Sequence, residues 1–375
     1  MSDNTKIEWV RDGDGRPGAT VNAVNGCSVT SPGCTNCYAM KQAHRFPARA
    51  GLTTKTNGGM VWTGEVRFNE KQLLLPLGWK RPRRIFWNAH GDLFHSAVPD
   101  EWIDRVFAVC ALTPQHTHMI LTKRSARMLE FVADEASITE IFEVVDGEFA
   151  EHSQRGPALD RLNAWPLPNV WLGVSVEDQA RADERIPDLL ATPAAVRFIS
   201  AEPLLGPVDL TWIAEPDEEK GGVIDALLGC NWCDGGGRGV DYFPIRPGHE
   251  GRKMTRYVVS GSDEIIANRK LDWVICGGES GPGARPMHPD WARSLRDQCA
   301  AAGVAFHFKQ WGEWAPRHSW DHRRMVAIDA AGNRVSDDLR PQDVGGQRFA
   351  RIGKKAAGRL LDGVEHNGLP GQPHA

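Results

Sequence analysis

The sequence lacks a long apolar run, a hydrophobic leader and a large excess of either charge. No stretch approaches the ~18 consecutive apolar residues of a membrane-spanning helix. The first residues, MSDNTKIEWV, contain no apolar core of a signal peptide, so we expect a cytoplasmic protein. The formal net charge of the 375 residues is only −4, so binding to nucleic acid would require a local basic patch.

Disulfides are not expected either, because cysteines in a reducing cytoplasm are thiols or metal ligands. Of the eight cysteines, Cys27, Cys34 and Cys37 form a C-x6-C-x2-C triplet in a loop rich in glycine, proline and asparagine. Thiolates favour zinc or iron–sulfur clusters. A closed zinc site takes four ligands, whereas a [4Fe-4S] cluster on three cysteines leaves one iron open. The triplet therefore predicts an open iron centre, with buried thiols or redox chemistry as alternatives.

Short β-type runs recur along the chain, and their apolar residues occupy consecutive positions. Such runs are typical of strands buried on both faces of a parallel sheet that helices cover. Their cores are IFW (85–87), MIL (119–121), VWLGV (170–174), VRFI (196–199), WVIC (273–276) and FHF (306–308), after a strand-like lead at 20–24. Helical patterns occur near 38 and at 100–112, 125–133, 179–191 and 289–302. Repeated β-loop-α units predict an α/β fold, either a (β/α) barrel or a doubly wound sheet.

Polar side chains follow six of these runs in turn. One such residue is more often a helix cap or part of a solvated loop, but six successive strand ends favour a shared cleft. Barrel active sites are assembled at the carboxyl ends of the strands, which supports a barrel. The candidates are Asn88, His90 and Asp92, then Thr122, Lys123 and Arg124, then Ser175, Glu177 and Asp178, then Ser200 and Glu202, then Glu279 and Ser280, and finally Lys309, Gln310 and Glu313.

Two regions, at about 140–166 and 211–271, interrupt the repeats, and we interpret them as insertions in a barrel that spans residues 1–320. The second contains CNWCDGGGRG, where Cys230 and Cys233 have the spacing of half a zinc knuckle. Two ligands do not complete a zinc site, so His249 or another cysteine would have to contribute. Unmetallated thiols are the alternative. Residues 321–375 are interpreted as a C-terminal extension.

Several motifs together resemble a known family. It is widespread in bacteriophages and bacteria, is described by its three-cysteine motif and has a poorly defined function. The motifs are KIEW, GCSVTSPGCTNCYA, RRIFWNAHGDLFH, LTKR, WLGVSVEDQ, FISAEPLLGPVDL, DWVICGGESGPGARPMHPDW, FKQWGEW and IGKKAAGRLLDG. The resemblance implies a distant relationship to radical S-adenosylmethionine enzymes. It therefore implies a partial or complete (β/α) barrel of the TIM type, with a cluster on the loop after the first strand. The common spacing there is C-x3-C-x2-C, and here the first gap is six residues.

The same resemblance implies the ligands of two cofactors. Cys27, Cys34 and Cys37 would bind a [4Fe-4S] cluster, and S-adenosylmethionine would bind its open iron. Among the strand-end residues, Asp92, Glu177 and Glu202 are expected at the ammonium or ribose of S-adenosylmethionine, Lys123 or Arg124 at its carboxylate, and Glu279 at the adenosine or the substrate. The phage association implies DNA or a nucleotide as substrate, because phages alter their DNA to evade nucleases. An electron donor and a partner protein are further expected partners.

Two other functions are consistent with the residues. The first is a zinc-stabilised binding protein without catalysis, for nucleic acid or protein, in which the triplet and a fourth residue such as His44 hold the metal. The second is a degenerate barrel whose cysteines only pack. The metal content distinguishes these from a cluster enzyme.

Overall fold

The computed structural model describes residues 4–11, 14–43, 46, 49–214, 222–234, 254–257, 269–317, 325–335 and 346–372; for residues 222, 230–234 and 254–257 only the backbone is described. Seven strands form the central sheet. They are β1 Ala19–Val21, β2 Arg84–Trp87, β3 Thr117–Thr122, β4 Val170–Ser175, β5 Val196–Ala201, β6 Trp273–Gly277 and β7 Ala305–Gln310.

All neighbouring strands of this sheet are parallel, and their order in the sheet equals their order in the chain. A doubly wound sheet would reverse its strand order partway across. The sheet instead curls as an open half-barrel with helices against it. The predicted partial (β/α) barrel is thus confirmed as an architecture. Its relationship to radical S-adenosylmethionine enzymes stays a prediction.

Helices connect most of the strands and pack on the outer face of the sheet. Four predicted helices are confirmed with the bounds expected from their apolar spacing, and a fifth begins at Tyr38 as expected. The helices are α1 Tyr38–Ala43, α2 Glu70–Leu73, α3 Asp100–Leu112, α4 Ser125–Ala133, α5 Glu135–Gly147, α6 Arg155–Asn163, α7 Gln179–Ala191, α8 Pro289–Ala302 and α9 Lys354–Ala357.

The concave face of the half-barrel is filled by aromatic side chains. Phe86, Phe198 and Trp273 point inward from three strands, and Trp9 of the KIEW motif packs among them. The Trp9 ring centroid lies 4.8 Å from that of Phe86 and 6.2 Å from that of Trp273. Ile199 follows Phe198 but belongs to the outer core, as the alternation of side chains along a strand requires. Consecutive apolar residues therefore bury both faces of the sheet.

The regions predicted as insertions contain regular elements. Residues 140–166 hold part of α5 and all of α6, and both helices pack on α3. Residues 211–271 contribute a four-stranded antiparallel sheet, Ile213–Ala214, Gly222–Asp225, Cys230–Asp234 and Met254–Tyr257. The side chains of Cys230 and Cys233 and all of His249 lie outside the described residues, so the zinc knuckle stays a prediction, as does the domain division.

Short antiparallel sheets complete the fold. After β7, Trp314–Arg317, Gln347–Arg351 and Met325–Ile328 form a three-stranded sheet. Between β1 and β2, Thr53–Thr56 and Gly59–Trp62 form a hairpin, and Val24–Asn25 pairs with Arg67–Phe68. Within the described ranges, none of the helices has the length and apolar character needed to cross a membrane.

Candidate functional site

The cysteine triplet lies on one connection at the carboxyl edge of the parallel sheet. After β1, Gly26 forms a parallel bridge with Gly91, which lies just beyond β2. Cys27 follows directly, Cys34 ends a 3-10 turn, and Cys37 comes immediately before α1. The predicted order of strand, cysteine loop and helix is therefore confirmed. In barrel enzymes this edge carries the active site.

A buried ion cluster anchors the middle of the cysteine loop. The Ser31 hydroxyl donates to Glu177 Oε1 at 2.5 Å and lies 3.7 Å from the Cys34 sulfur. Lys123 Nζ contacts the same carboxylate oxygen, and Arg185 Nη1 donates to Glu177 Oε2 at 3.0 Å. The side chains of Glu177 and Arg185 are 0% and 1% exposed. Because both are so deeply buried, this anchor fixes Ser31 and with it the position of Cys34.

The environment gives the three thiols different acidities. Burial raises the pKa of Cys34, but the Lys123 ammonium and local hydrogen bonds outweigh burial, so the pKa lies below its ordinary value. Burial, followed by the charge of Asp92, raises the pKa of Cys27 to about 12. Burial also raises the pKa of Cys37. Thiolate ligation of a metal would supply the positive charge needed to deprotonate all three.

The donor set fits an iron–sulfur cluster in its chemistry. All three are free cysteines on one short loop, and thiolates are the ligands that iron–sulfur clusters take. Over the described ranges, no group of three or more Cys, His, Asp or Glu side chains is arranged as the ligands of one ion. Thiolates of a cubane each bind a different iron, so they need not converge on one point.

The loop after β6 clamps the cysteine loop from the other side. Glu279 accepts from Arg285 Nε at 2.9 Å and Nη2 at 2.6 Å, and from Asn36 Nδ2 at 3.0 Å. Arg285 Nη2 also donates to the Pro32 carbonyl at 3.0 Å. Pro32 and Asn36 flank Cys34, so this charged pair braces the loop on both sides of it. Glu279, predicted as an adenosine or substrate contact, is thus engaged with the protein.

A third brace lies beside Cys27. Asp92 accepts two backbone N–H bonds at 3.0 and 3.1 Å, one bond from Thr122 Oγ1 at 2.7 Å and one from Arg124 Nη1 at 2.7 Å. Arg124 Nη2 continues to Ser28 Oγ at 2.9 Å. Four bonds use the normal accepting capacity of a carboxylate. Asp92 and Arg124 therefore hold Ser28, the residue after Cys27, in place.

Of the predicted cofactor ligands, Glu202 and Lys123 keep unused hydrogen-bonding capacity. Glu202 accepts one bond at each oxygen, from Lys309 Nζ at 2.7 Å and from Gln310 Nε2 at 3.1 Å, and its side chain is 18% exposed. Lys123 Nζ has Glu177 as its hydrogen-bond partner among the described residues, and its side chain is 18% exposed. An ammonium has three donors and a carboxylate about four acceptor positions. The assignment of cofactor roles stays a prediction.

Other strand-end candidates serve the fold. Asp178 caps α7 by accepting from the Arg181 N–H at 3.0 Å. Asn88 Oδ1 accepts from the Val24 N–H at 2.8 Å, which ties the loop after β2 to the chain beyond β1. These are the helix-cap and loop roles expected for an average strand-end residue.

Four residues that hold the cysteine loop were not among the predicted site residues. Ser31 and Asn36 lie within the triplet, and their polar side chains there are the one hint the sequence contains. Arg185 lies in a helix and Arg285 in a loop, and neither occurs at a spacing that indicates a binding site. Their partners are identified only by the folded chain.

The comparisons with known proteins give one match. No curated protein and no solved structure matches the chain. A family model described as "Protein of unknown function (DUF5131)" matches residues 4–370. That span includes the cysteine triplet, all seven strands of the half-barrel and the three-stranded sheet that follows them. Since the match covers nearly the whole chain, this protein belongs to the DUF5131 family.

Proposed function

We propose that this protein is an iron–sulfur, S-adenosylmethionine-dependent radical enzyme that modifies or repairs a nucleic-acid base. The proposal depends on one observation. Three thiols lie on one loop at the carboxyl edge of a parallel half-barrel, and three sets of charged contacts hold that loop. A cluster that three thiolates hold keeps one iron open for a further ligand. The braces supply the rigidity that such a site needs, because metal ligands must be held in a fixed geometry.

The residues divide into cluster ligands, cofactor contacts and supports. Cys27, Cys34 and Cys37 would hold the cluster. Glu202 would accept from the ammonium of S-adenosylmethionine, and Lys123 would donate to its carboxylate, because each retains capacity for further bonds. When bound, the two cofactors supply a one-electron reduction that splits a carbon–sulfur bond. The aromatic concave face would supply the water-poor barrel interior that such chemistry needs.

Anaerobic reconstitution tests the proposal. We expect brown protein with about four iron and four sulfide per chain. After addition of dithionite and S-adenosylmethionine, we expect 5′-deoxyadenosine by chromatography. Alanine at Cys27, Cys34 or Cys37 should each abolish the iron signal. Cys110→Ala is the matched control, since Cys110 is a buried thiol of α3 and should leave the iron content unchanged.

Three results would contradict all or part of the proposal. Colourless protein with stoichiometric zinc would favour the zinc-stabilised binding protein, whose fourth predicted ligand, His44, lies outside the described residues. Unchanged metal content in Cys34→Ala would favour a barrel whose cysteines only pack. A cluster without 5′-deoxyadenosine would keep the metal site and refute the reaction. A second metal, zinc at Cys230 and Cys233, would appear as zinc that survives loss of the triplet.

A further inference from the structure

The chain around the cysteine triplet is basic although the protein as a whole is not. From Gly15 to Gly64 there is no Asp or Glu, and the same stretch contains five Lys and Arg residues. The whole chain, by contrast, has a net charge of −4. The segment that carries the proposed cluster is therefore net positive because it lacks acidic residues, although Asp14 and Glu65 flank it.

The described residues between Cys27 and Arg67 pack together at the carboxyl edge of the sheet, and we call them the cysteine cap. Its hairpin, Thr53–Thr56 and Gly59–Trp62, packs on α1. Met40 of α1 and Trp62 of the hairpin share a small core against which Cys27 and Cys37 pack. The Gly64 N–H donates to the Cys27 carbonyl at 3.2 Å. The hairpin therefore packs directly against the cysteine loop.

Among the described cations of the cysteine cap none forms an ion pair with a carboxylate, although the charge of Glu279 acts on Lys41. Lys55 and Arg67 are exposed, and neither has an ion-pair partner in the described part of the chain. Lys41 Nζ donates to the Pro282 carbonyl at 2.6 Å, and Arg49 Nε donates to Asn25 Oδ1 at 3.0 Å. These acceptors are uncharged, so the positive charge of each cation persists. Phosphate groups would complement such a surface.

Exposed aromatic rings lie among these cations. Tyr38, which directly follows Cys37, is 49% exposed, and Phe46 is 47% exposed. The Arg49 guanidinium carbon lies 4.6 Å from the centre of the Phe46 ring. The Tyr38 hydroxyl donates to the Ala89 carbonyl at 3.2 Å, which fixes the ring beside the loop after β2. Cations interleaved with exposed aromatic rings are the pattern of proteins that bind single-stranded nucleic acid, in which phosphates pair with cations and bases stack on rings.

We propose that the cysteine cap binds single-stranded nucleic acid, with Lys55 and Arg67 at phosphates and Tyr38 stacked on a base next to the cysteine loop. If the protein is the proposed enzyme, its substrate would then be a single strand rather than a free nucleotide. Only this identification of the substrate rests on the proposed function. A single strand fits better than a duplex, because stacking on Tyr38 needs a base that has left its own stack. Binding itself needs no cluster chemistry.

Salt-dependent binding of a labelled oligothymidylate of about 16 nucleotides tests the charged part of the proposal. Each phosphate contact on a single strand contributes about 0.7 to the slope of log affinity against log salt. We expect Lys55→Gln/Arg67→Gln to lower that slope by about 1.4 and to weaken binding at low salt. The matched control is Lys80→Gln/Lys270→Gln. It removes two exposed lysines near the amino ends of β2 and β6, on the opposite edge, and should bind as the wild type does.

Substitutions at Tyr38 distinguish the contribution of base stacking to the affinity from that of the cations. We expect Tyr38→Ala to weaken oligothymidylate binding about tenfold, the size of one base stack, while Tyr38→Phe retains it because the ring remains. All four substituted cations are exposed, and circular dichroism would verify that the variants fold.

Three results would overturn this inference. The first is absence of oligothymidylate binding at low salt, and the second is tighter binding of the matching duplex. The third is an equal loss of affinity in Lys55→Gln/Arg67→Gln and in the control Lys80→Gln/Lys270→Gln. Iron content measured on the same samples separates the two proposals. Iron-loaded protein that does not bind the oligonucleotide would refute the binding surface and leave the cluster proposal intact. Iron-free protein that binds it, with the losses expected for Lys55, Arg67 and Tyr38, supports the surface and refutes the cluster enzyme.

Discussion

The substitution Glu177→Gln tests the buried anchor of the cysteine loop. In the native protein one carboxylate lies between Lys123 and Arg185 and also accepts from Ser31. Glutamine has almost the same shape but no charge, so it would leave two buried cations without their counter-ion. The side chain of Arg185 is 1% exposed and that of Lys123 is 18% exposed, so water cannot readily replace the lost carboxylate.

Breaking a buried ion pair by removing one partner costs about 3–5 kcal/mol, because an uncompensated charge remains inside the protein. Glu177 serves two cations, which places this variant near the upper end of that range. The Ser31 hydroxyl would also lose its charged acceptor, which costs about 1 kcal/mol or more. The cysteine loop should loosen as a result, so reconstituted Glu177→Gln should retain less iron than the wild type.

Urea unfolding followed by circular dichroism measures the change in the free energy of unfolding. Glu184→Gln is the matched control. Its carboxylate is 57% exposed and pairs with Arg181 and Arg185 only at 3.8 and 3.7 Å. Such exposed pairs contribute about 0–1 kcal/mol, so the control should be nearly neutral. If Glu177→Gln lost less than about 1 kcal/mol, the reasoning about a buried anchor would be refuted.

The buried anchor also predicts how the free energy of unfolding changes as the pH falls. Burial raises the pKa of Glu177, but Lys123 and Arg185 outweigh burial and hold it below the ordinary 4.5. The ionised carboxylate therefore contributes its full stabilisation above about pH 4.5, and this is lost as the pH falls through the lower folded-state pKa. Wild-type protein should lose stability more steeply than Glu177→Gln on acidification below that point.

Two further predictions concern packing and pH. Gly33→Ala would place a Cβ 2.5 Å from Glu177 Cγ. Because the buried anchor cannot shift, we expect the free energy of unfolding in urea to fall by about 1–3 kcal/mol. The control Gly147→Ala has no atom near its Cβ and should lose no stability. Burial, followed by neighbouring acidic residues, raises the pKa of Asp104 from 3.8 to about 7, so the folded protein holds a proton that the unfolded chain releases. Wild-type stability should then fall as the pH rises from about 4 to about 7, and unfolding of Asp104→Asn at several pH values should lack that slope; an unchanged slope would contradict it.

Most of the half-barrel could be predicted from the sequence. Apolar residues at consecutive positions in the cores of β3 and β4 require burial on both faces, and that condition is met in a parallel sheet covered by helices. The helices at Asp100–Leu112 and Gln179–Ala191 follow from apolar spacing over a few turns. Both signals are local, so neighbouring residues suffice to read them. The position of Trp9 inside the half-barrel was not predictable, because its contacts are to strands far along the chain.

The edge of the sheet that carries the site could also be predicted, because parallel strands bring their carboxyl ends together. The sequence alone does not distinguish which of the carboxylates found there keeps room for a ligand. The folded chain distinguishes them: Asp92 and Glu279 are fully engaged by protein donors, whereas Glu202 retains open acceptor positions. The count of free acceptor positions depends on donors from other strands and loops, which no local pattern reveals.

The sequence by itself determined the strands, the helices and the cysteine spacing, since these depend on residues that are close along the chain. Only the tertiary structure decided how the cysteine loop is held. Ser31 meets Glu177 across 146 residues, and Asn36 meets Glu279 across 243 residues. Polar contacts at such separations form only when the sheet brings the ends of its strands together. The same folding places the hairpin of the cysteine cap against the cysteine loop.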